Sequence, residues 1–408
     1  MEEKKGRSLP EVRRRNRICI KELIYRKAPI TRTEVAEELG LTLPTITTSV
    51  AQMLEEGLLL EEPMSDAEYQ AGSGGRRPLM LRFNPEAGYA VGIELGPYET
   101  SIVLTDLVGQ PVLQQLFPQA PDDYGQMLEA LSAHLQAFLH RVPRELLLGI
   151  GLGTPGFVNQ EDGTIRASFR SGWNGQNIAA DLRERTGLPV LADNNVRMRA
   201  RGQEMFHGNG LPDLFAYFFI SKGVACPLMI GGNILSGSTS GAGEIGHMVI
   251  QPGGPICPTC GRRGCLEALT GETAIRRECA MLLKFGRAPL LRTMIDGNED
   301  KESMPDIKTI LRAQQAGDED VREIMEKAVD YLGMALANVV NLISPAQVLV
   351  DGYIMQLTEN WQRLLAAARK HFYGLNAQEV QIRFLPFDHY SAALGAAGTV
   401  ISRYCIQK

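Results

Sequence analysis

Between residues 243 and 267 the chain reads Gly-Glu-Ile-Gly-His-Met-Val-Ile-Gln-Pro-Gly-Gly-Pro-Ile-Cys-Pro-Thr-Cys-Gly-Arg-Arg-Gly-Cys-Leu-Glu. His247, Cys257, Cys260 and Cys265 offer one imidazole and three thiolates, the complete ligand set of a tetrahedral zinc ion. With no position left for water, such an ion is structural and not catalytic. Pro252, Gly253, Gly254 and Pro255 interrupt any helix or strand between the histidine and the first cysteine. The ligands therefore sit on a loop that a metal would hold folded. A lone cysteine or histidine is usually an ordinary core residue. Here three of the chain's seven cysteines crowd into nine residues, separated by the turn Gly261-Arg262-Arg263-Gly264. Cys19, Cys226, Cys279 and Cys405 have no partner at ligand spacing and read as inert. Clustering of this kind fits a reducing compartment and argues against a disulfide framework.

The elements that must carry this knuckle alternate between strand and helix. Strands are predicted over residues 88–95, 100–107, 111–117 and 146–152, with a helix over 127–139 before the last of them. A second series begins near Asn194, with strands over 214–220, 347–350 and 380–385 and helices over 271–285, 320–343, 359–371 and 391–404. Alternation of this sort implies a mixed α/β body.

The start of the chain has a different character. The whole chain has 42 Lys and Arg against 47 Asp and Glu, for a net charge of −5. Eleven of the basic residues nevertheless fall between Lys4 and Arg32, where only Glu11 and Glu22 oppose them. Ile18, Ile20, Leu23 and Ile24 give a first helix an apolar face that ends at Ala28-Pro29. Thr31 and Glu34 form a capping box for a second helix, which stops at Gly40. Thr42 is placed to cap a third, with Ile46, Val50, Met53 and Leu54 inward. Thr42, Pro44, Thr45, Thr47 and Thr48 line its opening turns and can approach a groove floor closely, the arrangement of a recognition helix. Two short strands near residues 58–61 and 79–83 flank the tip Gly72-Ser73-Gly74-Gly75-Arg76-Arg77-Pro78. That is the pattern of a wing whose Arg76 and Arg77 suit a minor groove. A basic arm leading into a helix-turn-helix favours DNA over a purely protein-binding role. No apolar run reaches about 18 residues, so a cytoplasmic protein without membrane contact is expected.

Glu244-x-x-His247, the cysteine cluster and Glu267 resemble the signature of the ROK family, which groups sugar kinases with sugar-responsive repressors. The family pattern C-x-C-G-x-x-G-C-x-E is one residue shorter at its first cysteine pair than the C-x-x-C here. Gly75-Arg76-Arg77-Pro78 is likewise similar to the wing of the family's repressors. The resemblance implies an actin-like, ribonuclease-H-like body of two α/β lobes with a ligand cleft. On this scheme residues 1–83 form the winged helix-turn-helix and 84–193 the first lobe, joined by a C-terminal helix over 391–408. Residues 194–390 form the second lobe, with the zinc knuckle at 247–267.

The resemblance also separates sensing from phosphorylation. Kinases of the family carry D-x-G-G-T where this chain has Glu94-Leu95-Gly96-Pro97-Tyr98, and their second phosphate turn reads Ser221-Lys222-Gly223-Val224-Ala225-Cys226-Pro227 here. Proline removes an N–H donor and tyrosine adds bulk. The motif E-N-D-A-N reads Asp193-Asn194-Asn195-Val196-Arg197, which puts an amide, Asn195, where the general base belongs. A later glycine run reads Asp351-Gly352-Tyr353. The sugar-side positions are better kept: Pro155, Gly156, Asn194, Asn195, Glu244, His247 and Glu267 are the candidate ligand contacts, with His247 also a metal ligand. The expectation is a non-enzymatic, DNA-binding regulator, with operator DNA and a sugar or sugar derivative as partners and a homodimer or dimer of dimers as the assembly. The alternative is a sugar kinase with an appended DNA-binding module.

Overall fold

The structure is a computed structural model that describes residues 9–64, 77–168, 170, 172–207, 210–238, 241–295, 304–374 and 379–408. The chain divides into two compact units, Met1–Gly210 with Tyr390–Lys408 and Leu211–His389. The division falls at Leu211 and not at Asn194, where the second lobe was expected to begin.

The first unit opens with helix Leu9–Lys27, helix Arg32–Leu39 and helix Leu43–Glu55. A three-stranded sheet completes this module, with Leu79–Phe83 central between Ile30–Thr31 and Leu59–Pro63. Leu59 pairs with Phe83 and Pro63 with Leu79, the antiparallel register of two wing strands. The stretch 65–76, including Arg76 and most of the expected tip, lies outside the described residues.

The larger sheet of this unit runs in the order Val190–Asn194, Leu147–Thr154, Tyr89–Leu95, Glu99–Asp106, Pro111–Pro118. The first three strands are parallel and the last two turn back antiparallel. Helices Tyr124–Leu139 and Ile178–Thr186 cover one face, packing Leu131, Phe138 and Leu182 on Ile93, Ile102 and Ile150. The helix Ser391–Ile401 lies on the backbone of the same sheet. Its sequence is mostly Ala and Gly, and the sheet offers glycines in return: a Cβ on Gly92 would stand 1.8 Å from the Ala393 carbonyl oxygen. Gly395 is as tightly held, because its Cβ would stand 1.8 Å from the carbonyl oxygen of Met198, on helix Asn195–His207.

The N-terminal module and this lobe share one core. Ile20, Ile24, Val35 and Phe83 pack with Ala90, Val103, Val400, Ile401 and Ile406. Lys21, only 3% exposed, donates to the carbonyl of Cys405 at 2.6 Å. Arg26 pairs with Glu204 of helix Asn195–His207 at 3.7 Å.

The second unit is built on a sheet in the order Asn233–Ile234, Leu228–Ile230, Leu214–Ile220, Gln347–Gly352, Gln381–Leu385. The last three strands are parallel. The 25-residue helix Glu319–Ile343 brings Met325, Leu332 and Leu336 onto Phe218, Val348 and Val350. The knuckle hangs from this unit between strand Asn233–Ile234 and the short helix Leu266–Thr270.

Candidate metal centre, effector residues and DNA-reading face

The imidazole of His247 and the sulfurs of Cys257, Cys260 and Cys265 place one ligand atom each within 4.8 Å of all the others. Cys260 Sγ and Cys265 Sγ are 3.6 Å apart, and Cys257 Sγ lies 3.8 Å from His247 Nδ1. Bonds of ~2.3 Å to sulfur at tetrahedral angles require ligand separations of about 3.8 Å, so the set fits a zinc-sized dication. Two turns make the cluster. Cys257 N–H donates to Arg262 O at 2.8 Å and Gly261 N–H to Cys257 O at 2.9 Å. Gly264 has φ of 76°, and a Cβ there would stand 1.7 Å from the Gln251 carbonyl, so only glycine closes the loop. Burial pushes the Cys257 thiol up and the Cys265 thiol up to about 12. Burial also opposes ionisation of Cys260, but hydrogen bonds from Arg262 outweigh it and bring the thiol down to about 7. A dication would hold all three as thiolates.

Two carboxylates flank the cluster. Glu267 begins the helix after Cys265 and accepts from the Thr259 hydroxyl, while its Oε2 would stand 2.9 Å from a Cβ on Gly223. The knuckle thus holds Glu267 against the turn Ser221–Gly223, whose Ser221 N–H donates to Gly223 O at 2.9 Å. Glu244 stands at the N-terminal end of the single turn Ile245–His247, which is pressed on Val224: a Cβ on Gly246 would come within 2.3 Å of the Val224 carbonyl. A third carboxylate was not singled out from sequence. Glu272 is 1% exposed, and among the described residues neither carboxylate oxygen has a hydrogen-bond partner. Burial pushes its carboxyl up to about 8, with Arg276 opposing. Nothing in the stretch Thr270-Gly271-Glu272-Thr273 signals it, since an acidic residue in a first helical turn is ordinarily exposed.

In the first unit the candidates meet around the start of helix Asn195–His207. Asn194 Oδ1 accepts from the backbone N–H of Val196 at 2.9 Å, and its Nδ2 donates to the Gly156 carbonyl at 3.0 Å. It therefore caps the helix and ties the Pro155-Gly156 turn to it. Asn195 is 5% exposed, and its Nδ2 donates to Glu94 Oε1 at 3.1 Å. Arg199 donates to both oxygens of Glu94, at 3.2 and 2.9 Å, and its guanidinium is 3% exposed by residue. Beside this pair, Arg197 lies 3.3 Å from Asp193, which also accepts from Gln160. Burial pushes the Asp193 carboxyl up, against the pull of Arg197. The Nδ2 of Asn195 is thus bonded to an internal ion pair.

In the N-terminal module Thr31 and Glu34 form the reciprocal cap: Glu34 N–H donates to Thr31 Oγ1 at 3.2 Å and Thr31 N–H to Glu34 Oε2 at 2.8 Å. The backbone N–H of Thr31, and then its hydroxyl, donate to the Glu34 carboxylate and hold it below its usual range. Gly40 ends the helix at φ of 61°. Arg32 grips Glu61 through two bonds, at 2.8 and 3.0 Å, and fixes the second helix to the wing strand. Thr42 stands at the N-cap position of the third helix but makes no capping bond, against expectation; its hydroxyl pairs with that of Thr45 at 2.9 Å. Leu43, Pro44, Thr45, Thr47 and Thr48 are exposed on the opening turns, and Arg77 is exposed at the base of the wing.

A model described as the ROK family matches residues 90–403, and one for a winged helix-turn-helix DNA-binding domain matches residues 19–59. The chain belongs to the ROK family. The xylose repressor of Bacillus subtilis strain 168 is 29% identical over 396 residues, covering 95% of each chain. The DNA-binding transcriptional dual regulator NagC of Escherichia coli K12 is 28% identical over 351 residues, 85% of this chain and 82% of that one. Among solved structures, a ROK family transcriptional regulator described as a homologue of the E. coli MLC protein aligns with a TM-score of 0.76 at 25% identity, over 97% of both chains.

ROK membership gives the extra residue of the C-x-x-C knuckle a role. Thr259 occupies the widened gap, and its hydroxyl is the group that holds Glu267. At the ROK D-x-G-G-T position the loop is Gly96-Pro97-Tyr98, closed by Gly96 N–H to Glu99 O at 2.9 Å. Among the described residues, no helix is long and apolar enough to cross a membrane.

Proposed function

We propose that this protein is a sugar-responsive transcriptional repressor whose body binds a sugar or sugar derivative without phosphorylating it. The observation that carries this reading is the amide of Asn195, which stands at the base position of the family's kinase motif and is bonded to Glu94. An amide accepts no proton at neutral pH, and Arg199 neutralises Glu94 internally, so neither side chain is placed to deprotonate a sugar hydroxyl. Pro97 and Pro227 remove backbone donors from the two phosphate turns. DNA contact falls to residues 1–83: Thr42, Pro44, Thr45, Thr47 and Thr48 in the major groove, Arg76 and Arg77 in the minor groove. The candidate sugar contacts are Pro155, Gly156, Asn194, Asn195, Glu244, His247 and Glu267. Structural zinc on His247, Cys257, Cys260 and Cys265 keeps Glu267 in place. The assembly is a homodimer, or a dimer of dimers, on an inverted repeat.

The names of the relatives make xylose and N-acetylglucosamine, with their phosphates, the first ligands to try. A ligand that binds only the folded state raises the melting temperature by mass action. The test is a thermal-shift screen over sugars and sugar phosphates, followed by operator binding with each hit. Failure of every sugar to shift melting or DNA affinity would overturn the sensing role. The kinase alternative is decided by nucleotide consumption over the same panel, and turnover at an enzyme-like rate would overturn the non-enzymatic role.

A further inference from the structure

We propose that the third helix of the DNA-reading module recognises thymine methyl groups, so that its half-sites are A·T-rich and chosen by apolar contact. This rests on the DNA-reading function above and specifies the chemistry of what is read. Three observations on helix Leu43–Glu55 carry it.

The first is composition. From Leu43 to Glu55 there is no Arg, Lys, Asn, Asp or His, and the residues on the open face of the first two turns are Leu43, Pro44, Thr45, Thr47 and Thr48. The commonest direct reading of guanine uses Arg or Lys on O6 and N7, and reading of cytosine uses a carboxylate on N4. Neither is available on those turns.

The second is the fate of the hydroxyls. Thr42 and Thr45 pair their hydroxyls with each other at 2.9 Å, and Thr48 donates its hydroxyl to the Pro44 carbonyl at 2.9 Å. These bonds keep the Thr48 hydroxyl proton, and one of the two on Thr42 and Thr45, inside the module, so the methyls become a large part of what these threonines can offer a groove floor.

The third is Leu43. It is 47% exposed at the very start of the helix, the end that approaches base edges in a helix-turn-helix. In the major groove the C5-methyl of thymine is the apolar feature. Gln52, exposed farther along the helix, carries the amide that matches adenine N6 and N7. Affinity that does not depend on sequence comes instead from phosphate contacts, for which Arg13, Arg14 and Arg15 are exposed on the first helix.

The experiment uses the intact chain. A random duplex pool is enriched by binding, and the recovered site is remade with deoxyuridine in place of thymine, one base at a time. This removes a single methyl and leaves the hydrogen-bonding edge unchanged. Each contacted thymine should cost about four-fold in affinity, the ratio that ~0.8 kcal/mol per buried carbon gives. Thr45→Ser and Thr48→Ser keep the hydroxyl and remove the methyl from the protein side. At the partner thymine, each should bind the thymine and uracil duplexes equally while melting like the parent. Half-sites led by G·C pairs, or parent affinity indifferent to every uracil, would overturn the methyl reading alone. A pool from which nothing enriches would overturn the DNA-reading function beneath it.

Discussion

Serine in place of Cys260 removes one metal ligand with almost no change in volume, which makes it the sharpest probe of the knuckle. Purified Cys260→Ser should lose its zinc and melt below the parent, because the loop from Pro252 to Gly264 then has to fold without its cross-link. Metal analysis finding no zinc in the parent, with an unchanged melt in the variant, would reject the site. Glu272 tests a different balance. Its folded carboxyl lies near 8, above the unfolded value, so the folded state holds a proton that the unfolded state releases. Stability contributed by that proton is full at acid pH and is lost as pH rises towards and through about 8. Glu272→Gln, neutral at every pH, should melt like the parent near pH 5 and above it from pH 8 upward. A parallel pair of pH–melting curves would show that the buried carboxyl is not the cause. At this scale the sequence was most legible where chemistry demands a spacing. His247 and its three cysteines could be read because ligand geometry leaves few alternatives. Asn194 and Asn195 could be singled out as candidates, but not their bonds: the cap on Val196 and the amide on Glu94 depend on partners up to 101 residues away in the chain.

Among the elements, the helices of the DNA-reading module were legible from caps and periodicity, whereas helix Asn195–His207 was not. Its inward positions include Arg197 and Arg199, 4% and 3% exposed, so the sequence shows no apolar stripe to detect. Buried arginines pairing with Glu94 and Asp193 replace that stripe, and only the folded lobe supplies those partners. The short helices Pro289–Ile295 and Ile307–Gln315 were also missed, although Ile307, Ile310, Leu311 and Gln314 recur at helical spacing behind the Asp306 cap. The close stacking of helix Ser391–Ile401 on helix Asn195–His207 gives an element-level test. Gly395→Ala would drive a Cβ into the Met198 carbonyl, and overpacking of this kind costs roughly 1–3 kcal/mol. The melting temperature should fall, and operator binding should weaken with it. A variant that melts and binds like the parent would mean that this contact has room to spare.

For the whole protein, the coupling of sugar to DNA is a free energy that works in both directions. A coupling of about 1–3 kcal/mol changes operator affinity by roughly 5- to 150-fold, and DNA must change sugar affinity by the same factor. Glu244→Ala should keep operator binding and lose the response to ligand. If it still responds at the parent's ligand concentration, Glu244 is no part of the sensor. Arg76→Ala should weaken DNA binding and flatten its salt dependence by about one unit of slope, as expected for a lost cationic contact. Unchanged affinity and slope together would remove Arg76 from the interface.

The bond from Lys21 to the Cys405 carbonyl joins residues 384 positions apart. Ribosomes make the chain in order, so a nascent DNA-reading module spends nearly all of translation without the wall of Val400, Ile401 and Ile406 that closes its core. Loop-closure entropy also has to be met before so distant a contact can form. A growing polypeptide therefore cannot complete its DNA-reading core until the sensing body is already made. Prematurely terminated products would compete poorly for the operator, because they lack the residues that finish the fold.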